Sequence, residues 1–298
     1  MTPTRRTALQ VLGAAGLGAS GALAACSTAP EAGAGAPTAG VPSPAAPGTA
    51  GQTATATATS AGTLRFITAS DGHLGEKGTD SRRYLAEFVE AANRQHAATP
   101  LDFAVINGDI GHGGVALLEE AKAGLDRLEL PYFVTQGNHD EVNAEDWTAV
   151  WGTPGNQVVR FGSRSIVLAN TSNEAGDYLC ADRDWLSGAL EGEAGQQDVL
   201  VFMHITPNTW TKWGIPCPKV RALLADTPNL RAVFNGHDHA ESGVKIDDGV
   251  HYFFDAHYGG HWGTKYRAFR FVQLSGNRLK SRLVTTAGRK RKQVTLTW

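Results

Sequence analysis

From residue 63 onward, short apolar runs alternate with stretches whose apolar residues recur at helical spacing. Leu64 to Ala69 is a β-prone run, and Tyr84, Leu85, Phe88, Val89 and Ala92 then repeat with a helical period between Asp80 and His96. A second cycle follows. Asp102 to Ile106 reads as a buried strand, Val115 to Leu128 as a helix, and Tyr132 to Thr135 as a strand introduced by Pro131. Asn156 to Phe161 and Ser165 to Ala169 form a hairpin pattern broken at Gly162-Ser163. Asp182 to Leu190 predicts a short helix, Val199 to Met203 a strand, Val220 to Ala225 a helix, and Arg231 to Phe234 a strand. Beyond these the pattern turns β-rich, with Val250 to Phe254, Ala268 to Leu274 and Arg278 to Thr285 as candidate strands. Repeated strand, helix, strand order predicts an α/β domain over residues 63–298 with a partly parallel sheet and right-handed crossovers.

The first 62 residues do not join this pattern. Their only charged side chains are Arg5, Arg6 and Glu31. From Ser27 to Gly62, 33 of 36 residues are Ala, Gly, Pro, Thr or Ser, too few apolar groups to offset the entropy of ordering, so 26–62 is expected to be a disordered linker. Ahead of it, Arg5 and Arg6 precede a charge-free stretch from Thr7 to Pro30, the layout of an export signal over 1–25. Gly13, Gly16, Gly18 and Gly21 keep that stretch below the roughly 20 strongly apolar residues of a membrane span. The paired arginines resemble a twin-arginine signal. Leu23-Ala24-Ala25-Cys26 resembles a bacterial lipobox, which makes Cys26 the expected lipid-attachment residue and a cell-membrane lipoprotein facing the extracytoplasmic side the expected product.

Charge narrows the function classes. Residues 63–298 hold 25 basic and 28 acidic side chains, a near-neutral balance that speaks against nucleic acid as the main partner. The last 43 residues carry ten basic side chains and no acidic one, read here as a solvated strand face that counterbalances an acidic front. Cys180 and Cys217 are open to pairing in an oxidising compartment or to burial as two thiols, since the sequence gives no distance between them.

Immediately after five predicted strands the chain reads Ser70-Asp71-Gly72-His73, Asn107-Gly108-Asp109, Gly137-Asn138-His139-Asp140, Met203-His204 and Asn235-Gly236-His237-Asp238-His239. Loops at the C-terminal ends of such strands form the ligand crevice of α/β sheets. No apolar core would keep so many carboxylates and imidazoles without partners, and a divalent metal centre supplies them. In extended chain, residues i and i+2 point the same way, so Asp71-x-His73 and His237-x-His239 can each face one site. Mixed imidazole and carboxylate ligation suits Fe, Mn or Zn.

The ordered set Asp-x-His, Gly-Asp, Gly-Asn-His-Asp, His and Gly-His-x-His resembles the calcineurin-like metallophosphoesterases over residues 64 to 255. Asp184-Trp185-Leu186 is similar to a feature of the cyclic-nucleotide phosphodiesterase branch. The resemblance implies a sandwich of two mixed β-sheets flanked by helices. It implies that Asp71, His73 and His239 hold one ion, that Asn138, His204 and His237 hold a second, and that Asp109 bridges them. A metal-bridging hydroxide would attack phosphorus, with His139 as general acid oriented by Asp140. Protein phosphatases of the superfamily extend the Gly-Asp loop with an arginine that grips a phosphomonoester, whereas this chain reads Gly108-Asp109-Ile110-Gly111-His112-Gly113-Gly114. The missing clamp favours a small phosphodiester, with an exported phosphomonoesterase or nucleotidase, or a metal-containing binding lipoprotein without turnover, as alternatives. Candidate substrate contacts are His112, then Trp210, Lys212 and Trp213 as a stacking surface for a nucleobase, and His257 and His261 at the entrance. Each also has a bland reading, as a solvated loop residue or as one packed against the body.

Overall fold

The computed structural model describes residues 53–56 and 62–298. The expected signal segment, Cys26 and most of the expected linker lie outside the described residues. The strands are β1 (Thr53–Ala56), β2 (Thr63–Ala69), β3 (Phe103–Asn107), β4 (Tyr132–Thr135), β5 (Gln157–Phe161) and β6 (Arg164–Leu168) in the first half. They continue as β7 (Asp198–Phe202), β8 (Leu230–Asn235), β9 (Val244–Asp247), β10 (Val250–Phe254), β11 (Ala268–Ser275), β12 (Arg278–Thr285) and β13 (Lys290–Thr297). Five helices intervene: α1 (Ser81–Ala98), α2 (Val115–Leu125), α3 (Ala144–Trp151), α4 (Arg183–Gly192) and α5 (Pro218–Ala225).

These strands form two mixed sheets, as the resemblance implied. One runs β1-β5-β6-β7-β8-β10-β9 and the other β13-β12-β11-β2-β3-β4. In the second, β2, β3 and β4 are parallel while β11, β12 and β13 are antiparallel. Strand alternation explains the layering. Leu64 and Phe66 of β2, Phe103 and Val105 of β3, and Leu200 and Phe202 of β7 turn into the space between the sheets. Their neighbours Ile67, Ala69, Ala104 and Ile106 pack under α1 and α2 on one side, and Val199 and Val201 meet α4 and α5 on the other. The central layer is largely aromatic: Phe66 stacks on Phe103 at 4.9 Å and Phe202 on Phe234 at 4.9 Å. Across it, Arg270 and Asp255 form a wholly buried ion pair at 3.4 Å.

Most element bounds shift by no more than two residues from the expected ones, with five differences of substance, the first being β9, which was not expected and forms an antiparallel hairpin with β10. Helix α2 stops at Leu125 instead of Leu128, because the chain tightens into turns closed by Arg127 N to Gly124 O and Leu128 N to Leu125 O. Helix α3 escaped the reading although it is punctuated: Asn143 accepts a bond from Asp146 N at its start, and Gly152 ends it in the left-handed conformation. Strand β13 was not expected: it opens on Lys290-Arg291-Lys292-Gln293 and alternates only at Val294 and Leu296, and it pairs with β12. Strand β1 lies inside the stretch expected as linker, so that expectation does not hold for Thr53–Ala56: they pair in parallel with β5, whose edge would otherwise expose unpaired backbone groups.

Candidate metal centre

The C-terminal ends of β2, β3 and β4 from one sheet and of β7 and β8 from the other open onto a common place. Their loops are laced by backbone bonds: Asp71 N donates to Gly108 O at 3.0 Å, Gly72 N to Asp109 O at 2.9 Å, and Gly236 N to His204 O at 3.1 Å. Turning so tightly off a strand puts Asp71 (φ 59°), His73 (φ 46°), Asp109 (φ 50°) and His237 (φ 67°) in the left-handed region. Non-glycine residues visit that region rarely and at a cost, and such positions concentrate at functional sites. Gly137 lets two of the loops touch, since a Cβ there would stand 2.2 Å from Asp109 N.

All seven expected ligands are buried, and the structure brings six of them, all but Asn138, into two groups. Asp71, His73 and His239 form one group, and Asp109, His204 and His237 another, with ligand atoms inside each group within 4.8 Å of one another. His239 Nε2 lies 3.2 Å from Asp71 Oδ1, and His73 Nε2 lies 2.9 Å from His239 Nε2. His204 Nε2 lies 3.2 Å and His73 Nε2 3.6 Å from Asp109 Oδ2, so Asp109 reaches both groups. Its other oxygen, Oδ1, accepts from His139 N at 2.8 Å.

Whether these residues fit metal ions can be judged from the polar atoms they leave over. Asn138 Oδ1, His204 Nε2 and His237 Nε2 are buried with no hydrogen-bond partner; the His204 to Asp109 contact is an ion-pair distance without hydrogen-bond alignment. Such orphans are costly unless something else meets them. Those three atoms belong to the residues assigned to the second ion. The ring tautomers agree: His204 Nδ1 faces Asn107 O at 2.7 Å and His239 Nδ1 faces Trp262 O at 3.2 Å, which leaves each Nε2 free of a proton for a cation. Without cations, protons fill part of the role. Burial pushes the Asp71 carboxyl up, but His239 and His204 outweigh it and hold it down at about 2. Burial pushes the His204 imidazole down, and Asp109 overcomes this and raises it to about 10. Burial depresses His73 to about 3 and His237 to about 4. Protons and metal ions therefore compete for one set of atoms.

The remaining expected residues divide. His139 lines a cavity of about 180 Å³ over the ligands and stacks on His112 at 4.6 Å. His112 Nδ1 lies 3.1 Å from His73 Nδ1, so it braces a ligand. Asp140 does not orient the His139 ring: one oxygen accepts from Ile110 N and Gly111 N, both at 2.8 Å, and the other from Gly137 N at 2.7 Å. It fixes the loop that carries His139 through the backbone. Trp213 lines the cavity with the Lys212 ammonium 4.3 Å over its ring, but Trp210 packs against Tyr252 at 4.7 Å in the core beside α5. His257 is buried, its ring nitrogens facing Gly259 O and Thr264 O, and His261 pairs with Glu76 at the surface, 2.6 Å away. Neither lines the cavity. Two lining residues escaped the sequence reading, Tyr178 and Trp262. Trp262 follows the Gly259-Gly260-His261 run and lies flat on His239 at 4.0 Å; Tyr178 carries no motif, only its nearness to Cys180. Cys180 and Cys217 are joined as a disulfide.

Two neighbouring groups of buried histidines and aspartates, with Asp109 within reach of both, at the strand ends of a two-sheet sandwich, fit a dimetal type of hydrolytic site. The family model of the calcineurin-like phosphoesterases matches residues 64–241, and this chain belongs to that family of metal-dependent phosphoric ester hydrolases. Among solved structures, a dimetal phosphatase from Danio rerio is similar at 15% identity with a TM-score of 0.63, covering 79% of this chain and 99% of its own. GAP50, the anchor in the inner membrane complex of Plasmodium, is similar at 13% identity with a TM-score of 0.58, covering 79% and 89%. At such identities the likeness is one of fold. A search of curated proteins found no match.

Proposed function

We propose that this chain hydrolyses small phosphodiesters, in the manner of the cyclic-nucleotide phosphodiesterase branch. The observation that carries this reading is the lining of the cavity: His73, Asp109, His139, Tyr178, Trp213, His237, His239 and Trp262, with neither Arg nor Lys among them. A dianionic monoester gains much from a guanidinium fork, and a singly charged diester needs it less. Asp71, His73 and His239 would hold one cation of the Fe, Mn or Zn type, Asn138, His204 and His237 the other, and Asp109 both. The ions, when bound, supply an acidified water and neutralise charge on the phosphoryl oxygens. His139 stands over the ligands, where it can give a proton to the departing alkoxide oxygen. Asp140 and Asp109 keep it there through the loop backbone. Metal-loaded protein should cleave a bis-aryl phosphodiester with higher kcat/KM than the corresponding aryl monoester. A preference for the monoester would assign the chain to the nucleotidase alternative.

Export and lipid anchoring at Cys26 belong to the same proposal. The Cys180–Cys217 disulfide supports it, since such bonds persist in oxidising compartments. Cys26→Ser should move the protein from the membrane to the soluble fraction on cell fractionation, and unchanged membrane attachment would refute the anchor.

A further inference from the structure

Among the described residues, the exposed large apolar side chains are Tyr178, Leu179, Trp213, Ile246, Trp262 and Trp298. Three of these, Tyr178, Trp213 and Trp262, converge on the cavity that is also lined by His73 and His239 of one ligand group and Asp109 and His237 of the other. Each rests against a neighbouring ring. Trp262 lies flat on His239 at 4.0 Å and 7°, Tyr178 stands edge-on to His237 at 4.5 Å, and Trp213 faces Trp262 at 6.3 Å. The loops that carry them are also fastened. The Cys180–Cys217 disulfide ties the Tyr178 loop to the end of the Trp213 loop. Thr211 Oγ1 donates to Asp238 Oδ2 at 2.7 Å and accepts from Gly214 N at 3.1 Å, which anchors Trp213 to the residue between His237 and His239. A collar fixed in this way binds without first paying to order its own side chains.

Its occupant follows from size and chemistry. The cavity of about 180 Å³ is well below the roughly 300–1,000 Å³ of pockets for drug-sized ligands and must also take the phosphoryl group, which leaves room for a small organic group beside it and no extended chain. The three aromatic rings offer a π-face with no demand for a particular hydrogen-bonding edge, while Asp109 lies at the floor and the Lys212 ammonium sits over Trp213. We infer that Tyr178, Trp213 and Trp262 form a subsite for a planar ring, such as a nucleobase, on the organic half of the phosphoester. The placement beside the ligands rests on the phosphodiesterase reading, but binding of the ring does not require turnover.

The test uses the full chain and two probes without phosphate, adenosine and ribose, in equilibrium dialysis with thermal melting to verify folding. Wild type should retain adenosine and not ribose. Trp213→Leu should weaken adenosine binding about tenfold, and Tyr178→Leu, on a separate loop, serves as the second variant should the first fail to fold. Equal retention of the two probes, or unchanged adenosine binding in a folded variant, would overturn the subsite. The outcomes also separate the two readings. Hydrolysis of an aryl phosphodiester without adenosine binding defeats the collar alone, whereas adenosine binding without hydrolysis of any phosphoester upholds the collar and defeats the proposed reaction.

Discussion

Asp109 is the residue on which the geometry turns, because one of its oxygens faces His204 and His73 while the other holds the backbone of His139. Asp109→Ala should therefore cut the metal content of protein loaded with manganese or zinc from two equivalents to one or none; two full equivalents by elemental analysis would mean that the bridge is misplaced. His139→Ala should behave differently. Its imidazole is outside both ligand groups assigned above, so metal content should hold while kcat falls by about 10² to 10⁴, the usual worth of a positioned general acid. At this scale the sequence was informative wherever a residue type sits in a spaced motif. Asp71, His73, His237 and His239 were legible as pairs spaced two positions apart at strand ends, but the extended chain expected there is not what aims them: Asp71, His73 and His237 are left-handed, and His237 and His239 join different ligand groups. Asp140 was misread because adjacency in sequence to His139 says nothing about which way a carboxylate turns, and three backbone amides claim it.

Among the elements, the strands that end in ligands were the most legible, since each is a short apolar run that gives way to a polar loop, with Gly, Asn or Asp at or just past the end of all but β7. The elements at the margins were the least. Strand β13 has an apolar face only at Val294 and Leu296, too short a pattern to read, and β1 is built of Thr and Ala, so pairing with a neighbour does most to make them strands. The loop from Thr206 to Cys217 shows the same limit: Trp210 and Trp213 are three positions apart, yet one enters the core and the other lines the cavity. The disulfide that closes this region spans 37 positions. Loop-closure entropy over that length predicts a loss of about 4 kcal/mol of stability in Cys180→Ser, measured by denaturant unfolding against the oxidised wild type. A loss below about 1 kcal/mol would show that the loops are held by their packing.

For the whole molecule, the buried pair of Asp255 and Arg270 joins the loop after β10 in one sheet to β11 in the other. Burial outweighs the attraction of Arg270 and the bond from Thr68, and raises the Asp255 carboxyl to about 6. The unfolded chain releases that proton near the ordinary carboxylate value, so between about pH 4 and 6 the folded state holds more protons and loses stability as pH rises. Asp255→Asn cannot titrate. Its stability relative to wild type should therefore increase from pH 4 to pH 7, and a difference independent of pH would contradict the raised value. Local order, by contrast, was largely written along the chain: the alternation of strands and helices, the polar punctuation at strand ends, and the ligand types follow from short-range periodicity and from residues a few positions apart. Only the tertiary structure decided how far Asp109 stands from His204 and His73, that Tyr178 and Trp262 close over them, and that Trp210 does not. Those contacts join residues far apart in the chain, and the packing of one sheet on the other sets their distances; no spacing along a single strand contains that information.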